Sequence, residues 1–264
     1  MTAEKNEKRD PVDADPRHAP GQSLAQQLNK FIDERAFTWS LVAVGSVFLA
    51  CWEWIAWTFH RQPQPVLFSI LALVMVVVAA YRIRAARREV RDLKLGMQGE
   101  KAVGLFLQDE LLPKGYHVFH DIVDDRGNID HAVIGPAGVF AIETKTISKP
   151  LRGDVRVQYD GEHVTVNGFA PDRDPIAQAR ACASRLHDIL LKYSGKDVEV
   201  RSVVLYPGWY VRKQPWGVKT WVLNHTAFVK FLDRESQRFD AEEIRVLKEG
   251  LCRYISDRDQ KRDG

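Results

Sequence analysis

Two long apolar runs near the start of the chain limit what its first third can fold into. They cover residues 38–59 and 66–81. A helix needs about 20 apolar residues to cross the hydrocarbon core of a bilayer, and arginines after the second, slightly short run can extend toward the headgroups. A buried hairpin in a soluble protein is the alternative, but the runs have almost no polar face. We therefore predict a transmembrane helical hairpin over residues 36–81.

Basic residues around these runs predict the orientation of the hairpin. Lys30 and Arg35 precede the first run, and the connecting segment contains only Arg61. The arginines after the second run are Arg82, Arg84, Arg87, Arg88 and Arg91. The positive-inside rule places both termini in the cytoplasm. We thus expect an integral membrane protein, most simply of a bacterial plasma membrane, without a cleaved signal peptide.

Composition predicts the structure of the segments on either side of the hairpin. Residues 1–35 are rich in charge, proline and glutamine without apolar periodicity, which predicts a mobile tail. Residues 82–95 should continue the second span as a basic juxtamembrane helix that contacts anionic lipid headgroups; contact with DNA is the alternative. The net charge of +3 does not by itself indicate nucleic acid binding. The three cysteines lack metal-site or disulfide spacing, which fits a reducing cytosol.

Strand and helix patterns alternate further along the chain, which predicts one mixed α/β domain over residues 96–256 and a tail over residues 257–264. The Asp160-Gly161 pair between two short apolar segments indicates a hairpin turn. Predicted strands cover residues 116–122, 129–134, 138–145, 155–159, 163–166, 198–205 and 219–223, and predicted helices cover residues 175–193, 225–235 and 240–256. We expect a mixed central sheet with flanking helices.

The residues that could carry chemistry lie in one predicted hairpin. Asp130 belongs to its first strand, and Glu143 and Lys145 share a face of its second strand because alternate strand residues point the same way. A turn of two or four residues places Asp130 opposite Glu143. A three-residue turn would pair Asp130 with Thr144 and point it away. The prediction of a site therefore depends on the register of this hairpin.

Two carboxylates and one ammonium group on a shared wall suit metal-dependent hydrolysis. Asp130, Glu143 and a backbone carbonyl near Thr144 offer the hard oxygen ligands that Mg²⁺ (or Mn²⁺) prefers. The ion would polarise a scissile phosphate, and Lys145 would orient or deprotonate water or stabilise phosphate charge. A solvated charge pair is the alternative for any E-x-K sequence. The apolar residues 139–142 instead favour a strand buried on both faces.

Two helix residues could complete this site. Glu100 begins an apolar stripe and could reach a cation; a first-turn carboxylate stabilised by the helix dipole is the alternative. The stripe continues at helical spacing through Val103, Leu107 and Leu111. Gln178 follows a helix start at Asp174-Pro175 and could hold Lys145 or a phosphate. A partly exposed helix glutamine is the alternative.

These residues together resemble a known family, the nuclease-related (NERD) domain of the PD-(D/E)xK nuclease superfamily. The resemblance covers about residues 96–205 and is most specific in the IDH…GVFAIETK segment. It rests on the sequences Gly96-Met97-Gln98-Gly99-Glu100, Leu111-Leu112-Pro113, Gly127–Lys145 and Asp174-Pro175-Ile176-Ala177-Gln178. It implies a restriction-endonuclease-like core.

The resemblance also implies roles for individual residues. Asp130 matches the metal-binding aspartate, and Glu143 with Lys145 matches the E-x-K pair. Glu100 matches the helix glutamate, a third acidic group for the metal, and Gln178 matches the helix glutamine. Ile129 stands where many superfamily members have proline, which the chemistry does not require.

Two further groups have less specific patterns. His117, His120 and His131 lack metal-ligand spacing, so exposed positions or supporting contacts are expected. A loop mixes aromatic and basic residues, which could stack bases and bind phosphates or could cap the core. Its members are Trp209, Tyr210, Arg212, Lys213, Trp216 and Lys219.

The sequence therefore predicts a membrane-anchored, metal-dependent nuclease that hydrolyses phosphodiester bonds in DNA, or less readily RNA. A noncatalytic membrane-tethered module that binds nucleic acid or protein through the same fold is the alternative. A membrane adaptor in which the nuclease core is only a scaffold is a third interpretation.

Overall fold

The computed structural model describes residues 37–59, 64–148, 156–212 and 215–263. The chain divides near residue 97 into a helical unit and a larger α/β unit. The whole predicted N-terminal tail, residues 1–35, which includes Lys30 and Arg35, and the basic residues Arg61 and Lys213 lie outside the described residues.

Two long apolar helices account for the described part of the helical unit. Helix α1 covers Thr38–Thr58, and helix α2, which enters the α/β unit, covers Pro65–Leu111. Both are long and apolar enough to cross a membrane. Exposed apolar side chains on these helices include Leu41, Phe48, Trp52, Ile70 and Leu73. Apolar residues thus surround most of α1 and of the first half of α2 rather than forming a single stripe.

Contacts near both ends show that α1 and the first half of α2 run antiparallel. The Arg82 guanidinium lies 5.2 Å from the centre of the Trp39 ring. Toward the other end, Trp54 Nε1 donates a 2.9 Å hydrogen bond to Ser69 Oγ. The alanines Ala50 and Ala72 are buried between these contacts, and small residues of this kind let helix backbones approach closely.

The α/β unit is built on a five-stranded mixed sheet in the order β1-β2-β3-β6-β8, and a smaller sheet has the order β5-β4-β7. The first three strands of the large sheet are antiparallel, whereas β3, β6 and β8 are parallel. The strands are β1 (His117–Asp124), β2 (Gly127–Gly135), β3 (Gly138–Thr144), β4 (Arg156–Tyr159), β5 (Val164–Val166), β6 (Val200–Leu205), β7 (Tyr210–Val211) and β8 (Thr220–Leu223). Except for the short β7, each corresponds to a predicted strand.

The remaining helices are α3 (Pro175–Ser194), α4 (His225–Leu232) and α5 (Ala241–Asp263), and Leu112–Lys114 form a 3₁₀ turn. The predicted cap of α3 is present: Asp174 Oδ1 accepts hydrogen bonds from the N–H groups of Ile176 and Ala177. Asn224 Oδ1 likewise accepts from the Ala227 N–H at the start of α4.

Each face of the large sheet carries its own apolar cluster. Helices α3 and α5 cover one face with side chains such as Leu186 and Leu251, which pack near Ala141. The end of α2 and helix α4 cover the other face, where Leu107 and Phe228 pack near Phe140. Strand β3 is therefore buried on both faces up to its last residues, as its continuous apolar sequence predicts.

A two-residue turn joins β2 to β3 and fixes their register. Gly135 pairs with Gly138, so only residues 136–137 lie in the turn, and the ladder continues to the pair of His131 with Ile142. Gly138 has φ of 136°, a conformation that side chains with a Cβ rarely adopt.

The tip of this turn is held by a distant part of the chain. The Pro136 carbonyl accepts a 2.7 Å hydrogen bond from the Arg238 N–H and a 3.2 Å bond from the Phe239 N–H. These bonds come from the segment immediately before α5, so the turn is fixed by residues at the end of the domain.

Helix α5 extends through most of the segment predicted to be a C-terminal tail. Arg258 in that segment pairs with Asp125 Oδ1 at 2.8 Å and with Asp124 Oδ1 at 3.2 Å. The Tyr254 hydroxyl also donates to the Val123 carbonyl at 3.0 Å. These contacts hold the last turns of α5 against the end of the β1–β2 hairpin, and they explain why the helix does not stop near residue 256.

Candidate active site

Strand register places Asp130 opposite Glu143. The β2–β3 ladder with its two-residue turn brings these residues to the next facing positions beyond its last pair. The predicted register is confirmed, and the three-residue alternative is wrong. At this end of the ladder the Thr144 N–H donates a 2.7 Å hydrogen bond to Asp130 Oδ2. The carboxylate thus takes the place of a backbone acceptor where regular strand pairing ends.

Several charges surround the Asp130 carboxylate. Burial raises its pKa well above the ordinary range, and the negative charges of Glu143 and Glu100 raise the pKa further. The Thr144 N–H and the Lys145 ammonium act in the opposite direction but do not offset this effect. The charges of four predicted site residues therefore act on one another at this strand end.

Glu143 and Lys145 form a close and partly buried ion pair. Lys145 Nζ donates a 2.7 Å hydrogen bond to Glu143 Oε1, and the side chains are 25% and 12% exposed for the lysine and the glutamate. The solvated-pair interpretation requires both side chains to be largely exposed, so the structure disfavours it. The Cys182 thiol lies 3.6 Å from Glu143 Oε2. Burial and the Glu143 charge raise the pKa of Cys182 to about 12, so this thiol stays protonated and can act as a donor.

Glu100 lies inside α2 and is buried. Its side chain is 5% exposed, and the apolar stripe that follows it is fully buried at Val103, Leu107 and Leu111. Because α2 begins at Pro65, the alternative that Glu100 is a first-turn carboxylate is wrong. Next to it, Gly99 lies against the Thr146 side chain, which occupies the space that a Cβ would need. The glycine therefore lets α2 approach the end of β3.

Gln178 is half-buried on α3, so it is the partly exposed helix residue that the alternative interpretation predicts. Its Oε1 atom is nevertheless buried without a hydrogen-bond partner among the described residues. Gln178 Oε1 therefore does not hold Lys145 in this structure, and it remains available to another group. A buried carbonyl oxygen without a donor is costly, so a water, ion or ligand is expected there.

Tyr206 is a site neighbour that the sequence pattern did not single out. The Lys145 N–H donates to the Leu205 carbonyl at 2.8 Å, so Tyr206 continues β6 directly beside Lys145. Its ring is fully buried and its hydroxyl has no hydrogen-bond partner among the described residues. Burial raises the pKa of Tyr206, and the charges of Asp174 and Glu143 raise it further. The parallel pairing of β3 with β6, had it been predicted, would have indicated this residue.

Asp121 is a second neighbour that the pattern missed. The β1–β2 register places it at the position facing Asp130, and neither residue joins the ladder there. Asp121 has φ of 49°, which is rare for a non-glycine residue, and it is buried. Its Oδ1 accepts a 3.2 Å hydrogen bond from Asn128 Nδ2. The two-residue turn between β1 and β2 could have indicated this residue, because the turn sets the register that places Asp121 opposite Asp130.

The donor set at this strand end has the chemistry of a hard-cation site. Its carboxylates come from Asp130, Glu143 and Glu100, and the Thr144 and Thr146 hydroxyl oxygens are buried without hydrogen-bond partners in the described part of the chain. Oxygen ligands of this kind suit Mg²⁺ or Mn²⁺. Within the described ranges no three His, Cys, Asp or Glu side chains already stand in a metal-holding cluster. The residue types fit a divalent ion, and the carboxylates would have to converge around it.

The other sequence candidates divide between core and surface. His120 and His131 are buried, which excludes exposed positions for both and leaves the expected supporting contacts, and their Nδ1 atoms lie 2.9 Å apart. Trp209 is 2% exposed and donates from Nε1 to the Ile147 carbonyl, which fits the core-capping interpretation. Tyr210 and Trp216 are 65% and 94% exposed, which fits the binding interpretation.

The mixed sheet, its flanking helices and the acidic strand end define a restriction-endonuclease-like α/β core. Within it, residues 95–207 match the family model of the nuclease-related domain, close to the range over which the sequence resembles that family. An uncharacterized protein of Bacillus anthracis is 36% identical over 81 residues, which cover 29% of this chain and 37% of that relative. The chain thus spans well under half the length of that relative. No solved structure matches the chain.

Proposed function

We propose that this protein is a membrane-anchored, metal-dependent nuclease that hydrolyses phosphodiester bonds in DNA, or less readily RNA. The observation that carries the proposal is the crowding of three acidic residues and one lysine at the end of β3. The charges of Glu143 and Glu100 raise the pKa of Asp130, and Lys145 lies at the same strand end. Proteins retain such costly groups of like charge mainly where a cation or a reaction uses them.

The proposed metal ligands are Asp130 and Glu143, with Glu100 as a third acidic group. A bound Mg²⁺ or Mn²⁺ would neutralise their mutual repulsion, polarise the scissile phosphate and lower the pKa of a coordinated water. Asp130 is held in place by the Thr144 N–H, so one of its oxygens is positioned by the backbone before any ligand binds.

Lys145 has the proposed catalytic role on the water side. Its ammonium group already lies 2.7 Å from Glu143 Oε1, which fixes the position of the lysine beside the carboxylates. From there it would orient the attacking water or donate to the phosphate oxygen on which charge develops. Gln178 would contribute its unpartnered Oε1 as an acceptor for that water.

The proposed anchor is the helical pair. Both helices have the length and composition to span a bilayer, and apolar side chains cover most of their surfaces. The proposed orientation, with both termini and the nuclease-related domain in the cytoplasm, is supported by the arginines that follow the second run. The arginines within residues 82–91 would contact anionic lipid headgroups.

A cleavage assay on the full-length protein in detergent micelles tests the nuclease proposal. The substrates are labelled single-stranded, duplex and nicked DNA and single-stranded RNA, each with Mg²⁺, with Mn²⁺ and with a chelator. We expect metal-dependent cleavage by the wild type and its loss in Asp130→Asn and Lys145→Ala. Lys196→Ala, which removes an exposed lysine, is the matched control and should cleave like the wild type.

One observation favours the noncatalytic binding module as a second candidate. Lys145 is already paired with Glu143, and within the described residues no three metal-ligating side chains form a cluster. If the wild type binds nucleic acid but cleaves none of these substrates with either metal, the binding module replaces the nuclease as the better proposal.

Membrane fractionation tests the anchor. A variant without residues 36–81 should move from the membrane to the soluble fraction, and circular dichroism should show that its α/β unit is still folded. Recovery of the folded variant in the membrane fraction would contradict the proposed anchor.

A further inference from the structure

A groove beside the edge strand β8 combines exposed aromatic rings with arginines. It has a volume of about 790 Å³, and its described lining comes from β6, β7, β8, α4 and the loop before β8. Trp216 is 94% exposed and Tyr210 is 65% exposed at its margin. The described part of the protein leaves the Trp216 ring almost uncovered, so the ring is available to an external partner.

The charges along the groove favour an anionic partner. Arg201, Arg212 and Arg234 line it, and Glu235 is the one acid among its described lining residues. The Arg201 guanidinium lies over the Trp221 ring, 4.7 Å from its centre, which is a cation–π contact. A planar guanidinium group can donate two parallel hydrogen bonds to two oxygens of one phosphate.

Exposed rings together with guanidinium groups match one class of polymer in particular. Unpaired nucleotides present a flat base and a phosphate at every step, whereas paired bases hide their faces inside a duplex. An anionic membrane surface would match the charge and Trp216, but it would not need a concave groove. The concavity together with the exposed rings therefore favours a single strand.

The groove lies on the sheet face opposite Glu143 and Lys145, and it extends to the same strand ends. Leu223 at one end of the groove pairs with Leu205, and Leu205 pairs with Thr144. Adjacent strands are about 4.8 Å apart, so Leu223 lies about 10 Å from Thr144 across the sheet. On the other side, Trp209 next to Tyr210 donates a 3.1 Å hydrogen bond to the Ile147 carbonyl, two residues after Lys145.

We propose that this groove, defined by Tyr210, Arg212, Trp216, Arg201 and Arg234, binds an unpaired nucleic acid strand beside the strand ends that carry the Asp130–Lys145 site. The inference rests on the proposed nuclease function for what happens at that site. The binding of the strand by the groove is independent of cleavage.

Fluorescence anisotropy on the full-length protein in micelles tests the groove. The probe is a labelled oligothymidine of about 15 nucleotides, within the range that one such surface covers, in a chelator-containing buffer that prevents metal-dependent cleavage. Trp216→Ala should weaken binding of this probe about tenfold, because stacking of each base contributes measurably to affinity. It should change the binding of a duplex of equal length, or of an abasic strand, less than twofold.

Matched variants separate stacking from charge. Phe169→Ala removes a ring that is 78% exposed away from the groove and should leave affinity unchanged. Arg212→Ala should weaken binding of every probe and should lower the slope of log K against log salt by about 0.7, the value for one phosphate contact on a single strand. Arg253→Ala, an exposed arginine on α5, should leave that slope unchanged.

The outcomes distinguish the groove from the nuclease proposal. Equal strand affinity in the wild type, Trp216→Ala and Arg212→Ala would overturn the groove, even if Asp130→Asn abolishes cleavage. Loss of strand binding in these variants would support the groove, even if the wild type cleaves nothing. If Trp216→Ala instead loses only binding to anionic phosphatidylglycerol vesicles, the groove is a membrane contact and the proposal fails.

Discussion

Asp130 and His131 are neighbours in sequence but belong to two polar clusters of opposite character. His131 pairs with His120 at 2.9 Å inside the sheet, where both residues are buried. Asp130 lies at the strand end with Glu143 and Lys145, where the site remains partly exposed. The first cluster is closed by strand pairing, whereas the second crowds like charges beside buried oxygens that have no partner among the described residues. We infer that the histidine pair contributes to stability and that the acidic cluster opposes it and is retained for chemistry.

The largest expected effect concerns the acidic cluster. Asp130→Asn should lower metal-dependent cleavage about 10³-fold, and it should at the same time stabilise the fold. Burial raises the pKa of Asp130 above its unfolded value, so the ionised carboxylate destabilises the folded state fully above the folded-state pKa, and this destabilisation decreases as the pH falls from the folded-state pKa toward the unfolded-state pKa. The urea midpoint of the variant should therefore exceed that of the wild type at pH about 8.

Asp188→Asn is the control for this variant, because Asp188 is an exposed carboxylate paired only with other surface groups. Wild-type cleavage by Asp130→Asn would show that Asp130 is not needed for catalysis. If the urea midpoint of this variant were also lower than that of the wild type, Asp130 would be a structural residue like His131.

The histidine side of the comparison predicts the reverse result. His131→Ala removes a buried side chain and leaves the facing nitrogen of His120 without this partner, which should cost about 2–4 kcal/mol of unfolding free energy. Urea denaturation followed by circular dichroism measures the loss. His163→Ala replaces an exposed histidine and should stay within about 0.5 kcal/mol of the wild type. An equally small effect of His131→Ala would refute the structural role of the pair.

Close packing of α2 against the acidic cluster gives a third test. In Gly99→Ala the new Cβ meets the Thr146 side chain, which must move, so we expect destabilisation of about 1–3 kcal/mol. Gly45→Ala adds a methyl group with no neighbour within 4 Å and is the matched control. Thermal unfolding of both variants should separate them, and identical midpoints would mean that the helix approaches the strand less closely than described.

The smallest effect is a dependence of stability on pH. Burial lowers the pKa of His131 well below its ordinary value, and the neighbouring His120 lowers it further. As the pH falls below about 6.5, the unfolded chain binds a proton at this histidine and the folded chain does not. The free energy of unfolding therefore falls by about 1.4 kcal/mol per pH unit for each such proton. Urea midpoints between about pH 8 and 5 measure this slope. The double variant His120→Leu/His131→Phe should show a flatter slope, and an unchanged slope would assign the effect to other groups.

Local patterns in the sequence were sufficient for most of the fold, whereas the register of the central hairpin depended on a turn length that the sequence left open. Short apolar segments indicated the strands, and the cap at Asp174 indicated the start of α3. The short turn at residues 136–137 settled which face of β3 would meet Asp130, because a strand has only two faces.

What the sequence missed depends on contacts between distant segments. Tyr206 reaches the site because β6 pairs in parallel with β3 after α3 intervenes, and no local pattern encodes that crossover. The pairing of His120 with His131 was missed because it depends on the β1–β2 register, which was not predicted. The extension of α5 relies on Arg258 meeting Asp125 across the domain.

The hydrogen bonds that Arg238 and Phe239 donate to the Pro136 carbonyl also have a consequence for the order of events during translation. The β2–β3 hairpin leaves the ribosome long before the residues that clamp its tip are synthesised. A nascent chain can therefore form the strands early, but it can lock them only after the segment preceding α5 has emerged. Ribosome pausing in the codons for that segment would lengthen the interval in which the tip of the hairpin is not yet held.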